Sequence, residues 1–148
     1  MSGRVTRFTL RQLDRMARLL LRPPAVAPHQ NVGSQGEEEA YFYLRRLGYV
    51  MVARNWRSPR RRGEIDLIGW DGDVLCFVEV KSRTTRDVKP AEAAVDRDKQ
   101  QELGAMAGED LRHVAGSPPC RFDVLSIYYD RPEQPPEITL FKNAFSLS

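Results

Sequence analysis

Residues 63–81 read Gly63-Glu64-Ile65-Asp66-Leu67-Ile68-Gly69-Trp70-Asp71-Gly72-Asp73-Val74-Leu75-Cys76-Phe77-Val78-Glu79-Val80-Lys81. Two aliphatic runs flank Asp71-Gly72, a strong hairpin signal, so Glu64–Trp70 and Val74–Arg83 are expected to be paired strands. Side chains alternate between the faces of a strand. Val78 and Val80 therefore oppose Glu79 and Lys81, and Ile65 and Leu67 oppose Glu64 and Asp66. Each strand would bury aliphatic residues on one face and gather charge on the other.

Register decides whether the charges meet. With Asp71-Gly72 as a two-residue turn, Trp70 pairs with Asp73, and Asp66 and Glu79 become diagonal neighbours about 7–8 Å apart. A four-residue turn would set Asp66 directly opposite Glu79. A three-residue turn would send the two to opposite faces. Facing carboxylates repel unless a cation sits between them. Two carboxylates, a backbone carbonyl and water form the hard oxygen set that Mg²⁺ or Mn²⁺ prefers. Lys81 shares the face, where an ammonium can offset developing negative charge.

Outward from this hairpin the pattern predicts α-β-β-β-α-β-β, a mixed sheet flanked by helices in an α/β layer fold. Ser34-Gln35-Gly36-Glu37 has the form of a capping box, with a helix to about Leu47 and a stop at Gly48. Tyr49–Trp56 reads as the first strand. Pro90 opens a long helix to about Val114, and Gly116-Ser117-Pro118-Pro119 breaks the chain. Arg121–Tyr129 and Glu137–Phe141 read as the last two strands.

The chain has 148 residues, enough for one domain that hides about 70% of its unfolded surface. Its net charge of +3 is unevenly spread. Residues 1–31 hold Arg4, Arg7, Arg11, Arg15, Arg18, Arg22 and Asp14, a net +5, which leaves −2 for the remainder. Arg11, Arg15, Arg18 and Arg22 fall on one helical stripe, with Leu13, Met16, Ala17 and Leu20 on another. Residues 1–33 are thus expected to be a basic amphipathic helix and linker, and 34–148 the folded domain. Such an arm suits phosphates, a membrane surface or a partner's groove, and also has the composition of a transit peptide.

Several function classes drop out. Cys76 and Cys120 cannot build a disulfide framework, and two reduced thiols point to a cytoplasmic protein. No run of 18 apolar residues offers a membrane span. His29 and His113 lack companions at zinc-ligand spacing. No Gly-rich phosphate loop, Ser-His-Asp set or haem motif is present.

Asp66 followed by Glu79-Val80-Lys81 resembles the D…(D/E)-x-K core of the restriction-endonuclease-like nucleases, which include Holliday-junction resolvases. Residues 36–123 more closely resemble the YraN family of small bacterial proteins with that fold. The resemblance is carried by Gly36-Glu37-x-x-Ala40, Leu44, Gly48-Tyr49, Arg54-Asn55-Trp56, Gly63-Glu64-Ile65-Asp66-Leu67-Ile68, Phe77-Val78-Glu79-Val80-Lys81, Lys99 and Arg121-Phe122-Asp123. Ile65 stands where the superfamily often has proline, a position that is not a ligand.

The resemblance implies a restriction-endonuclease-like fold, Asp66 and Glu79 as Mg²⁺ or Mn²⁺ ligands, Lys81 in catalysis, and Glu37 acting through water. It implies a nucleic-acid partner, DNA ahead of RNA, and a homodimer by analogy. Without a catalytic role, Glu37 would be the third position of its capping box, Asp66 and Glu79 solvated strand carboxylates, and Lys81 a salt-bridge partner of Glu79. Arg54, Arg57, Arg60, Arg61 and Arg62 lead into the hairpin with Trp56 among them, and arginines there suit phosphates. Glu64 is an accessory ligand or the partner of a loop arginine. Lys99 is a possible substrate contact, although it and Gln100 are expected to be solvated, and Asp123 is expected to pair with an arginine. The expected function is a metal-dependent endonuclease. A non-catalytic nucleic-acid-binding module of the same fold is the alternative, and an adaptor docking through its arm is a third.

Overall fold

The computed structural model of the chain describes residues 32–58, 61–84, 95–112 and 116–145. The basic arm, His29, Arg60, His113 and the segment at Pro90 lie outside the described residues.

Helix α1 (Val32–Arg46) leads into strands β1 (Val50–Arg57), β2 (Glu64–Asp71) and β3 (Val74–Arg83). Helix α2 (Arg97–Ala105) continues as a π-helical segment, Met106–Leu111, before β4 (Cys120–Tyr128) and β5 (Glu137–Phe145). The five strands lie in the order β1-β2-β3-β4-β5. All neighbours are antiparallel except β3 and β4. A parallel pair needs a long crossover, and the chain from β3 through α2 to β4 supplies it. The expected α/β class and the order α-β-β-β-α-β-β are both present, consistent with a nuclease-like fold.

The sheet is covered on both faces. Ala40 and Leu44, one turn apart on α1, pack with Tyr49, Leu67, Cys76, Val78, Leu125 and Ile127. Leu103, Met106, Ala107 and Leu111 of α2 and its extension cover Ile68, Trp70, Leu75, Phe77, Phe122 and Val124 on the other face. β3 and β4 are buried on both sides, which is why their sequences run nearly unbroken in apolar residues.

Four local readings change. α1 begins at Val32, so Ser34 is already helical and Glu37 sits further into the helix than the third position. At its other end Leu47, on the helical stripe of Glu37, Ala40 and Leu44, is 51% exposed rather than buried with them. There the chain has left the helix: Gly48 takes φ +96, and the amides of Tyr49 and Gly48 donate to the carbonyls of Leu44 and Arg45, a Schellman closure. α2 begins at Arg97 rather than Pro90, because Asp96 is in an extended conformation and its side chain accepts the Lys99 amide as an N-cap. Its π-helical continuation ends at Leu111, short of Val114.

The hairpin turns at Gly72-Asp73, with Asp71 paired to Val74, not at Asp71-Gly72. Gly72 adopts φ +59, which a two-residue hairpin turn demands of its first position. This slips the register by two from the first expectation. The ladder's last pair is Leu67 with Val78, so Asp66 and Glu79 follow side by side at its end. The alternation of β2 also departs from the expected pattern. Ile65 joins the core on the α2 face, whereas Leu67 joins the core on the α1 face. The pleat therefore changes parity between them, at Asp66.

Candidate functional site

The β2–β3 ladder ends just before the chemistry begins. Past Leu67 and Val78, the amide of Val80 donates at 2.9 Å to the Asp66 side chain rather than to a backbone carbonyl. This bond fixes the Asp66 carboxylate between the two strands. Across from it on α1, Gly36 allows a close approach. A Cβ there would stand 1.8 Å from Oγ and 3.0 Å from Cβ of Ser82 on β3, so glycine lets the helix, with Glu37, settle closely on the sheet without displacing Ser82.

Glu37, Glu64 and Asp66 converge: one carboxylate oxygen from each lies within 4.8 Å of the other two. Glu79 is a buried neighbour of this trio, 5% exposed. Its Oε1 accepts Lys99 Nζ and lies 3.4 Å from Lys81 Nζ. Its Oε2 is buried with no hydrogen-bond partner among the described residues. A buried charged oxygen without a donor is costly, and a cation would relieve it.

The expected site residues thus come together, with two differences. The tight oxygen set is Glu37, Glu64 and Asp66, while Glu79 is turned toward two ammonium groups. Lys99, expected to be solvated, is a partner of Glu79. The Asp96 cap starts α2 so that Lys99, in its first turn, faces β3. Gln100 is also held, by its side-chain bond to the Val95 carbonyl. Glu64 joins the carboxylate trio and also accepts Arg57 Nε at 3.1 Å, the arginine pairing foreseen for it.

The arginines are spread around this centre. Arg54 lies 5.0 Å from the Tyr41 ring centroid in a cation–π contact, and both it and Arg57 are exposed. Arg61 is bonded to Glu109, and Arg62 is exposed. Among the described residues no helix is long and apolar enough to cross a membrane.

Crowding of like charge marks the electrostatics. Burial, then the Glu79 charge, pushes the Asp66 carboxyl up to about 7, against the pull of the Val80 amide. Burial likewise raises Glu37, reinforced by Glu64 and Glu79, while the hydrogen bond from Asn55 and the charge of Arg54 oppose it. Burial disfavours charge on Lys99, but its hydrogen bond to Glu79 and the Glu79 charge outweigh that and raise it.

A pH dependence follows from Asp66. Its folded pKa is raised, so between the ordinary carboxylate range and about 7 the folded chain binds the extra proton. The stability this contributes is fully present below the ordinary range and is lost as pH rises through about 7. Chemical denaturation in chelator from pH 4.5 to 8 is expected to show this decline. Asp66→Asn should flatten it, and an unchanged slope in that variant would assign the decline to other groups.

Asn55 is the residue that the sequence reading passed over. Its signal was the Arg54-Asn55-Trp56 run: an asparagine within a strand is unfavourable unless its backbone or amide has particular work.

The domain matches the model of the uncharacterised protein family UPF0102 over residues 36–127. A UPF0102 protein of Koribacter versatilis is 49% identical over 143 residues, covering 97% of this chain and 96% of its own length. Others from Herminiimonas arsenicoxydans and Pseudomonas aeruginosa are 42% and 40% identical, covering 72% and 76% of this chain and 84% and 90% of theirs. The motifs that resemble the YraN family lie within the matched region, and the chain belongs to that family, UPF0102.

Proposed function

We propose that the chain is a metal-dependent nuclease that hydrolyses phosphodiesters in nucleic acid, with DNA the first substrate to test. The observation that carries this reading is the convergence of Glu37, Glu64 and Asp66 beside buried Glu79 and its orphaned oxygen. Such an all-carboxylate set fits Mg²⁺ or Mn²⁺ and lacks the nitrogen and sulfur donors that zinc favours.

Asp66, Glu79 and the Val80 carbonyl would hold the ion, with Glu64 as an added carboxylate and Glu37 acting through water. The ion, when bound, supplies Lewis acidity and positive charge against the phosphate. Lys81 places an ammonium beside the acidic centre, where it orients the attacking water by hydrogen bonding and offsets charge that grows on the phosphate oxygens. Lys99 shares Glu79 with Lys81, so this carboxylate is held by two donors. Arg54, Arg57 and Arg62 offer exposed guanidinium groups for phosphates flanking the cut. The Arg57–Glu64 pair does not prevent this, because an exposed ion pair is weak and exchanges readily.

The decisive experiment is a cleavage panel of single-stranded, duplex, flap and four-way DNA, with RNA counterparts, in Mg²⁺, Mn²⁺ or chelator. Metal-dependent cutting by the wild type and none by Asp66→Asn is the expected result. Binding that persists without cutting in any metal would favour the non-catalytic binding module instead.

A further inference from the structure

One flank of α1 carries Glu37, Tyr41 and Arg45 at every fourth residue, so the three lie above one another along the helix. Tyr41 is one turn, about 5.4 Å, from the acid that α1 brings to the centre. Its side chain is partly buried against the core on that face of the sheet. Arg54 of β1 reaches the same ring, 5.0 Å from its centroid, and Arg45 lies over it at 5.7 Å. Arg54 is paired with Leu67, the residue after Asp66, so this pile also stands beside the strand that carries Asp66. Phe42 meets the Tyr41 ring edge-on at 5.3 Å and is itself 45% exposed.

Packing does not account for both arginines. Arg45 and Arg54 are exposed, and among the described residues neither is in a salt bridge with a carboxylate. Two guanidiniums gathered on one ring repel each other, and an exposed cation–π contact returns only a little for each. A guanidinium seated over a ring is held in place while its far side stays open to solvent. Its N–H rim is free to donate to phosphate oxygens, and its flat face takes a second flat group. A nucleobase is such a group, since arginine planes stack unpaired bases as aromatic rings do. With the guanidinium already held, less rotamer freedom is lost when a base arrives.

Resting on the nuclease reading above, we infer that Tyr41, Arg45 and Arg54 form a stacking platform for an unpaired nucleotide next to the cut. The substrate is then a strand that is unpaired on this side of the acidic centre: a single strand, a flap or the opened arm of a junction. A duplex closes its base faces against one another and offers only phosphates and groove edges. It meets the arginines as charge and leaves the pile unused. An unpaired strand engages both, with a phosphate on the guanidinium rim and a base on the pile. A base held there lies about one helical turn from Glu37, so the phosphate next to it falls beside the acids.

The test uses the full chain and reads fluorescence anisotropy with three labelled probes of equal phosphate number: a short single strand, a hairpin duplex and an abasic single strand. Binding is measured at one salt concentration, in chelator and in Ca²⁺, another hard cation that takes oxygen ligands. Wild type should prefer the single strand to the duplex. It should bind the abasic strand, which has phosphates without bases, about 10-fold more weakly than the intact one. Tyr41→Leu keeps an apolar side chain against the core, and Arg54→Lys keeps the charge without the flat face. Each should shrink the preference for single strand over duplex by about 10-fold and bind intact and abasic strands almost alike, whereas Tyr41→Phe should keep the preference. Thermal melting checks that Tyr41→Leu is folded, and Arg54→Lys, at an exposed position, carries the comparison if it is not. A wild-type preference for duplex, equal binding of intact and abasic strands by wild type, or an unaltered preference in the folded variants would reduce the cluster to a phosphate contact and overturn this inference alone. No binding of any probe by wild type in either condition would instead overturn the nuclease reading, and this inference with it.

Discussion

Lys81→Ala is expected to lower single-turnover cleavage by about 10²-fold or more, the scale of removing one preorganised electrostatic donor from a transition state. The substitution leaves Glu37, Glu64 and Asp66 in place, and Glu79 keeps its bond to Lys99. Metal-induced thermal stabilisation should therefore persist, and substrate affinity should change little. That pattern, turnover lost with binding kept, separates a group acting in the transition state from one that merely neutralises Glu79. Cleavage at the wild-type rate by Lys81→Ala would remove the lysine from the mechanism. A parallel loss of metal response would make it a structural partner of Glu79.

The largest stability effect is expected well away from the acidic centre. Asp123 is fully buried, and its two oxygens accept Arg121 Nε at 2.7 Å, an Arg121 terminal nitrogen at 2.9 Å, the Tyr49 hydroxyl at 3.1 Å and the Asn143 amide at 3.0 Å. Arg121 reaches on to Asp71 at 2.9 Å and, through that hydrogen bond first, holds the Asp71 carboxyl below its ordinary value. One carboxylate thus ties β4 to β5 and to the residue that leads α1 into β1, and its arginine ties in the end of β2. Asp123→Ala leaves the partly buried Arg121 guanidinium short of a partner, the buried Tyr49 hydroxyl without an acceptor and the Asn143 amide unpaired. Breaking a buried pair from one side costs about 3–5 kcal/mol. For a domain of this size that lowers the melting temperature by roughly 10–20 °C. A drop of only a degree or two would show that water or Asp71 takes over.

The hairpin and its acids were legible because two strands with clear patterns flank a glycine-bearing turn. The exact turn was not. Asp71-Gly72 and Gly72-Asp73 are both acceptable turn pairs, and only the packing of Trp70 and Leu75 into one core selects between them. The alternation rule carried Val78, Glu79, Val80 and Lys81 correctly but failed at Ile65. β2 switches faces between Ile65 and Leu67, and strand pattern alone does not reveal such a switch. The union of Lys99 with Glu79 was hidden for another reason. It spans 20 residues and depends on where α2 is capped and how it docks. Glu64 shows the limit of assigning one role per residue, since it serves Arg57 and the acid cluster at once.

The two distorted strands, β1 and β5, are also the outermost ones, each hydrogen-bonded to a single neighbour. Both carry a register shift, between Met51 and Ala53 in the β1 pairing and opposite the Phe122–Val124 span in the β5 pairing, and both contain a left-handed asparagine. A regular exposed edge offers a row of free amides and carbonyls to which strands of other molecules can add. Irregular edges twist that row out of line. The two left-handed asparagines therefore interrupt the regular row of amides and carbonyls at both margins of the sheet, where an even edge would offer other chains a template.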